Sequence, residues 1–182
     1  MAYRQPAPQG QAPEGRRALT RRQALIGGGA VAIGGSAAAV LAGCGGGGSK
    51  YPRHKIIKLS DLKPNTAVPF DYPLKGQSSV LLDMGQAVPG GVGKSQSIVA
   101  YSTRCQHMGC PVGYLPDKRH FLCGCHQSQY DPAREGVVIQ GVAQRPLPRI
   151  ALEISGGNVF AVGVEGLIYG YRENLAPGKK VA

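Results

Sequence analysis

The 182-residue sequence predicts an all-β protein: a small antiparallel β sandwich with a subdomain inserted between its strands. Three observations point there. Glycine supplies 28 residues and proline 14, Trp is absent and aromatics number only eleven, which disfavours a helix-rich fold around a large aromatic core. From residue 55 onward the apolar runs are short and set between turn residues, with no long helical period and no internal repeat. The chain beyond residue 49 is long enough for one core that buries about two-thirds of its surface, and too short for two.

The runs, in order, are Ile56 to Leu59, Val80 to Leu82, Ile98 to Tyr101, Val137 to Ile139, Ile150 to Ile154, Val159 to Val164 and Leu167 to Tyr169. Gly156-Gly157-Asn158, between two of them, reads as a tight hairpin connection, because successive glycines accept the positive φ such turns need.

Charge narrows the function classes. Lys and Arg number 21 against ten acids, a net +11, but five of the arginines (Arg4, Arg16, Arg17, Arg21, Arg22) and one acid (Glu14) lie in residues 1–43. The remaining +7 is scattered, without the basic runs and interleaved aromatics of a nucleic-acid surface, so nucleic acid is not an expected partner. A positive face for an acidic protein partner and an ordinary solvated surface both remain open.

Residues 1–43 read as an address. Thr20-Arg21-Arg22-Gln23-Ala24-Leu25-Ile26 leads into a charge-free stretch to Gly43 and resembles a twin-arginine export signal. The stretch is mostly Gly and Ala, too weakly apolar for a good permanent membrane helix, although an uncleaved anchor is the competing reading. Leu41-Ala42-Gly43-Cys44 resembles a bacterial lipoprotein processing site, which would make Cys44 the lipidated residue. Gly45 to Ser49 then reads as part of a flexible tether over 44–54. The expectation is a globule exported by the twin-arginine route and leashed to a membrane surface, periplasmic or on the outer face of the cytoplasmic membrane. That route carries folded proteins, so a cofactor inserted beforehand is expected in the rest of the chain.

Besides Cys44 there are four cysteines within 21 positions, in two boxes: Cys105-Gln106-His107-Met108-Gly109-Cys110 and Cys123-Gly124-Cys125-His126-Gln127-Ser128-Gln129-Tyr130. Each pairs a cysteine with a histidine at short spacing and adds one more cysteine. The residue types alone allow a Cys2His2 zinc site, a framework of two disulfides with idle histidines, or an iron–sulfur centre with mixed sulfur and imidazole ligands.

The complete pattern, C-x-H-x2-C followed by C-x-C-H-x-S-x-Y, resembles Rieske proteins at every position. The resemblance implies a [2Fe-2S] cluster with Cys105 and Cys123 on one iron and His107 and His126 on the other, and a disulfide between Cys110 and Cys125. It places Ser128 and Tyr130 where a serine hydroxyl meets a bridging sulfide and a tyrosine hydroxyl meets a ligand cysteine, here Cys105. Two neutral imidazoles in place of two thiolates make the oxidised centre less negative, so reduction is easier: ~ −150 to +300 mV against ~ −400 mV for plant-type ferredoxins. A cluster-binding subdomain is then expected over about 103–148 of a Rieske domain spanning 55–182. Gly141 to Pro148 resembles the proline-containing loop that covers such centres; an ordinary surface loop is the alternative. His54 and His120 lie outside the motif and read as surface residues.

Among Rieske proteins the chain is similar to the small subunit of arsenite oxidase, through Val88 to Gly93, Ile98 to Ser102, Cys105 to Pro111 and Ala161 to Gly170. Cluster chemistry does not require the last of these runs. The family implies a heterodimer whose large molybdopterin subunit oxidises arsenite, while the Rieske subunit passes single electrons to a cytochrome c or a blue copper protein. Two features depart from it: Cys44 is not a usual mark of that subunit, and the Ser128 and Tyr130 pair is more typical of quinol:cytochrome c oxidoreductases. The Rieske subunit of such a complex is the rival reading, and an exported zinc-stabilised binding module is the rival from another class.

Overall fold

The computed structural model describes residues 50–175 and 181. The arginine pair Arg21-Arg22, the Gly/Ala stretch, Cys44 and the first part of the tether lie outside the described residues. No helix among the described residues is long and apolar enough to cross a membrane.

Ten strands follow in chain order: β1 (His54–Lys58), β2 (Val68–Asp71), β3 (Ser78–Asp83), β4 (Ile98–Ser102), β5 (Val112–Leu115), β6 (His120–Cys123), β7 (Gln129–Asp131), β8 (Val137–Gln140), β9 (Arg149–Ser155) and β10 (Asn158–Glu165). They form a six-stranded sheet in the order β1-β10-β9-β4-β3-β2 and a four-stranded sheet in the order β5-β6-β7-β8, and every strand pairing within them is antiparallel. The smaller sheet is threaded between β4 and β9 of the larger one. The sequence expectation of an all-β protein with an inserted subdomain matches this architecture.

Strand β4 explains how the two sheets share an interior. All five of its residues are buried, where a half-exposed strand would alternate. Val99 and Tyr101 point into a cluster with Val80, Leu82, Phe121, Tyr130 and Leu147, which joins the two sheets. Ile98 and Ala100 point the other way, into a second cluster with Leu81, Tyr72, Ile150 and Val159. Tyr101 also ties the sheets by donating its hydroxyl to the Pro132 carbonyl at 2.9 Å. Burial pushes that phenol well above its ordinary pKa, so it stays a donor over the whole accessible pH range.

The hairpin at Gly156-Gly157 forms as expected, with φ of +54° and +71° between β9 and β10. The run Leu167 to Tyr169 differs: it is not a strand. Ile168 is buried, but its N–H is bonded to Asn174 Oδ1 rather than to a neighbouring strand. Asn174, itself buried, also donates to the Gly166 carbonyl and the Tyr51 hydroxyl, and so closes a side-chain-bonded loop after β10. An apolar run bounded by glycines resembles a strand in sequence because a side-chain partner for its backbone cannot be seen in a periodicity.

Asn174→Ala leaves the buried Ile168 N–H without its acceptor, a loss of ~1–3 kcal/mol. Thermal unfolding followed by circular dichroism is expected to show a melting temperature lower by roughly 5–15 °C.

Candidate functional site

Both boxes fold into the same backbone turn. The Cys105 N–H bonds the Cys110 carbonyl at 2.8 Å, and the Gly109 N–H returns to the Cys105 carbonyl at 2.9 Å. Eighteen residues on, the Cys123 N–H bonds the Ser128 carbonyl at 2.8 Å and the Gln127 N–H returns to Cys123 at 3.1 Å. Residues 109 and 127 occupy equivalent places and both have positive φ, +75° and +60°. The first turn bridges β4 to β5, and the second bridges β6 to β7.

The turns face each other and are bolted together. Cys110 and Cys125 form a disulfide, fifteen residues apart in the chain. Cys105 and Cys123 are free, buried thiols, close enough for their side chains to hydrogen bond. The imidazoles of His107 and His126 meet at the surface, with ring centroids 4.7 Å apart, planes nearly perpendicular, and the two Nδ1 atoms 3.3 Å from each other. Sulfur donors therefore pair at the floor and nitrogen donors pair at the rim.

Two buried hydroxyls complete the floor. Tyr130 accepts from the Gln106 N–H at 3.0 Å, so its own proton is directed at the Cys105 sulfur, 3.1 Å away. Burial raises the pKa of the Tyr130 phenol, and the bond to Cys105 raises it further, which keeps it a donor. Burial also pushes the Cys105 thiol up, but the bond from Tyr130, backbone bonds from His107 and Met108 and the contact with Cys123 outweigh it, and the net shift is downward. Ser128, fully buried, accepts from the Ala143 N–H at 3.2 Å. Its hydroxyl proton has no acceptor among the described residues, an arrangement that suits a sulfide or other acceptor held between the turns.

Gly141 to Pro148 connects β8 to β9 and lies against the second turn. A Cβ on Gly141 would stand 2.5 Å from the Ser128 Cα, so glycine is what lets the loop approach this closely. Leu147 is buried in the same cluster as Cys105, Cys123 and Tyr130, while Val142, Gln144 and Arg145 flank a cleft of about 440 Å³ beside His107. This is a cover packed onto the site, in keeping with the covering-loop expectation and unlike a free surface loop. His54 and His120 lie on β1 and β6, outside these turns.

The donor set favours a two-iron centre over one zinc ion. A single tetrahedral ion needs four donors ~2.0–2.3 Å from one point, whereas here a buried thiol pair and an exposed imidazole pair suit two separate metals. Three cysteine sulfurs, of Cys110, Cys123 and Cys125, do lie within 4.8 Å of one another, but two of them are spent on the disulfide.

Comparison with known proteins agrees with this geometry. The Rieske [2Fe-2S] domain family matches residues 53–151. An iodate reductase subunit, IdrB, of Denitromonas iodatirespirans is 39% identical over 165 residues, covering 88% of this chain and 89% of its own length. The cytochrome bc1 complex Rieske iron–sulfur subunit of Streptomyces lividans is 43% identical over 70 residues, 37% of this chain and 41% of that protein. Among solved structures, the soluble domain of the Rieske protein II from Sulfolobus acidocaldarius shares the fold, with a TM-score of 0.58 at 24% identity over 71% of this chain and 85% of that one.

Gly141→Ala forces both the Ser128 backbone and a φ of +94°. The expected cost of the strained backbone alone is ~1–3 kcal/mol. Visible circular dichroism should change together with the melting temperature, because the displaced loop takes the Ala143 N–H away from Ser128.

Proposed function

The chain belongs to the Rieske [2Fe-2S] domain family, and on that premise we propose that it is the electron-transfer small subunit of a two-subunit molybdopterin oxidoreductase acting on an oxyanion, of the arsenite oxidase and iodate reductase kind. The observation that carries the reading is the length of the match to the iodate reductase subunit: nine-tenths of both chains, well beyond the residues that hold a cluster. Matches to quinol-oxidising Rieske subunits run over little more than a third of this chain. The large subunit would hold the molybdenum and the oxyanion, and a cytochrome c or blue copper protein would be the soluble partner.

The cofactor is a [2Fe-2S] cluster, which supplies a reversible one-electron couple when bound. We assign Cys105 and Cys123 as its thiolate ligands and His107 and His126, through Nδ1, as its imidazole ligands. The residues around them have separable tasks. Tyr130 and the backbone N–H groups of His107 and Met108 stabilise negative charge on the Cys105 sulfur, and Ser128 offers a proton into the space between the turns. The disulfide holds the two turns in register, and Leu147 keeps water from the floor. The imidazoles at the rim, His126 exposed and His107 half-buried, give an electron a short way in and out.

Export by the twin-arginine route and a lipid on Cys44 form part of the same proposal. Its support is the Cys110–Cys125 disulfide, which persists in an oxidising compartment such as the periplasm. A quinol:cytochrome c oxidoreductase subunit is the second reading, favoured by the Ser128 and Tyr130 pair.

The test is purification of the complex from its native host, with metal analysis and activity assays. A molybdenum-containing partner, arsenite-dependent or iodate-dependent electron flow, and the low average-g electron paramagnetic resonance signal of a reduced Rieske centre are expected. A cytochrome b partner would overturn the oxyanion reading in favour of the quinol one, and a colourless zinc protein would overturn both.

Hydrogen bonds that strengthen on reduction raise a one-electron potential by ~59 mV per ~1.4 kcal/mol. Tyr130→Phe and Ser128→Ala are each expected to lower the potential by tens of millivolts in a redox titration. Two unchanged potentials would remove these hydroxyls from the tuning of the centre.

A further inference from the structure

The run after β10, which cluster chemistry does not need, ends beside the site. Among the large apolar side chains left exposed in the described residues are Leu167 (43%), Tyr169 (37%) and Met108 (61%), which come from two segments that meet at Gly109. The Tyr169 ring covers Gly109 so closely that a Cβ there would stand 2.8 Å from it, which joins the 166–171 loop to the first turn of the site. Because Ile168 is buried between them, Leu167 and Tyr169 are the two neighbours left on the outside. Nor is the loop slack: Asn174 holds it at the Ile168 N–H and the Gly166 carbonyl.

The two segments themselves carry positive charge only. No acid occurs from Ile98 to Pro116 or from Gly166 to Arg172. The acids that flank the loop are already engaged, Glu165 with Arg149 and Glu173 with Lys50 at 3.2 Å. Arg104 lies over the Tyr171 ring, 5.7 Å from its centroid, and Arg172 is exposed, so both offer positive charge at the edge.

A backbone pinned by a buried asparagine while three large apolar side chains face outward is a poor design for a solvated loop and a good one for a permanent contact. We propose that Met108, Leu167 and Tyr169, rimmed by Arg104 and Arg172, form the surface on which this chain docks to the large catalytic subunit, whose matching face would be apolar with carboxylates around it. This rests on the reading of the chain as the small subunit of a molybdopterin enzyme. It adds which face is covered, and gives a task to the part of the run from Ala161 to Gly170 that lies beyond β10 and outside the cluster-holding residues. Met108 directly follows His107 in the chain, so the docked face would begin one residue from an imidazole at the rim.

The experiment is co-expression of the full-length chain with the large subunit that co-purifies with it, comparing wild type, the double variant Leu167→Asp/Tyr169→Asp, Arg172→Glu, and Ile139→Asp on β8 as an exposed apolar control. The expected result is a dissociation constant raised at least ~tenfold for the double variant and for Arg172→Glu. Ile139→Asp should assemble like wild type. The electron paramagnetic resonance spectrum of all four proteins should stay that of an intact centre; Arg172→Glu, which alters a side chain already in solvent, keeps the test informative if the double variant folds poorly. Wild-type affinity in both Arg172→Glu and a double variant with an intact spectrum overturns this docking surface alone. Absence of any molybdenum subunit beside the wild-type chain overturns the functional reading and the surface together.

Discussion

Two short turns, far apart in no respect but sequence, have to be held face to face so that thiols meet thiols in the interior and imidazoles meet imidazoles at the surface. The Cys110–Cys125 bond is the covalent part of that constraint. It closes a fifteen-residue loop, for which chain entropy alone gives ~3 kcal/mol. The turns themselves are set by their own backbone bonds, the same pair of bonds in each, so the cross-link acts on two preformed units. It keeps them from separating, while the backbone bonds within each turn fix its own path.

The floor beneath the turns belongs to neither of them. Phe121, Tyr130 and Leu147 from the smaller sheet and its cover interlock with Val80, Leu82, Val99 and Tyr101 from the larger one, and Cys105 and Cys123 are members of that same cluster. A free thiol is a small apolar group that tolerates such burial, yet Cys105 also lies among hydrogen-bond donors. Low local polarity makes those few bonds count for more, since there is little water to compete with them. The imidazoles of His107 and His126, at the surface, experience the opposite environment. The proposed centre would thereby lie across a boundary, with its sulfur donors inside and its imidazole donors at the rim.

Much of this was legible in the sequence, for reasons that differ from residue to residue. Ile98 to Tyr101 announced β4 because a fully buried strand has no polar position to interrupt it. The two boxes announced the site because metal ligation demands particular residue types at particular spacings. Strands β5, β6 and β7 were not visible: Val112–Leu115, His120–Cys123 and Gln129–Asp131 are three or four residues long, overlap or flank the boxes, and carry His, Gln and Asp at positions that suppress any alternation. Strand β2 hid behind Pro69, tolerable there because β2 is an edge strand. The role of Tyr130 came from a resemblance; that it accepts from the Gln106 N–H, which directs its proton, needed coordinates.

The loop after β10 shows the limit of reading apolar runs as strands. Leu167, Ile168 and Tyr169 look like a strand because three apolar residues stand in a row, but only Ile168 is buried, and the backbone beside it is satisfied by Asn174. A strand here would have had to find a sheet edge, and the nearest candidate, β10, is already paired on both sides, with β1 and β9. With no ladder available, the chain turns back over Gly109 instead, and its remaining apolar side chains are left facing outward. The absence of a strand and the exposure of Leu167 and Tyr169 thus have one cause: β10 is paired on both sides where the run begins, so the run finds no ladder there and only Ile168 turns inward.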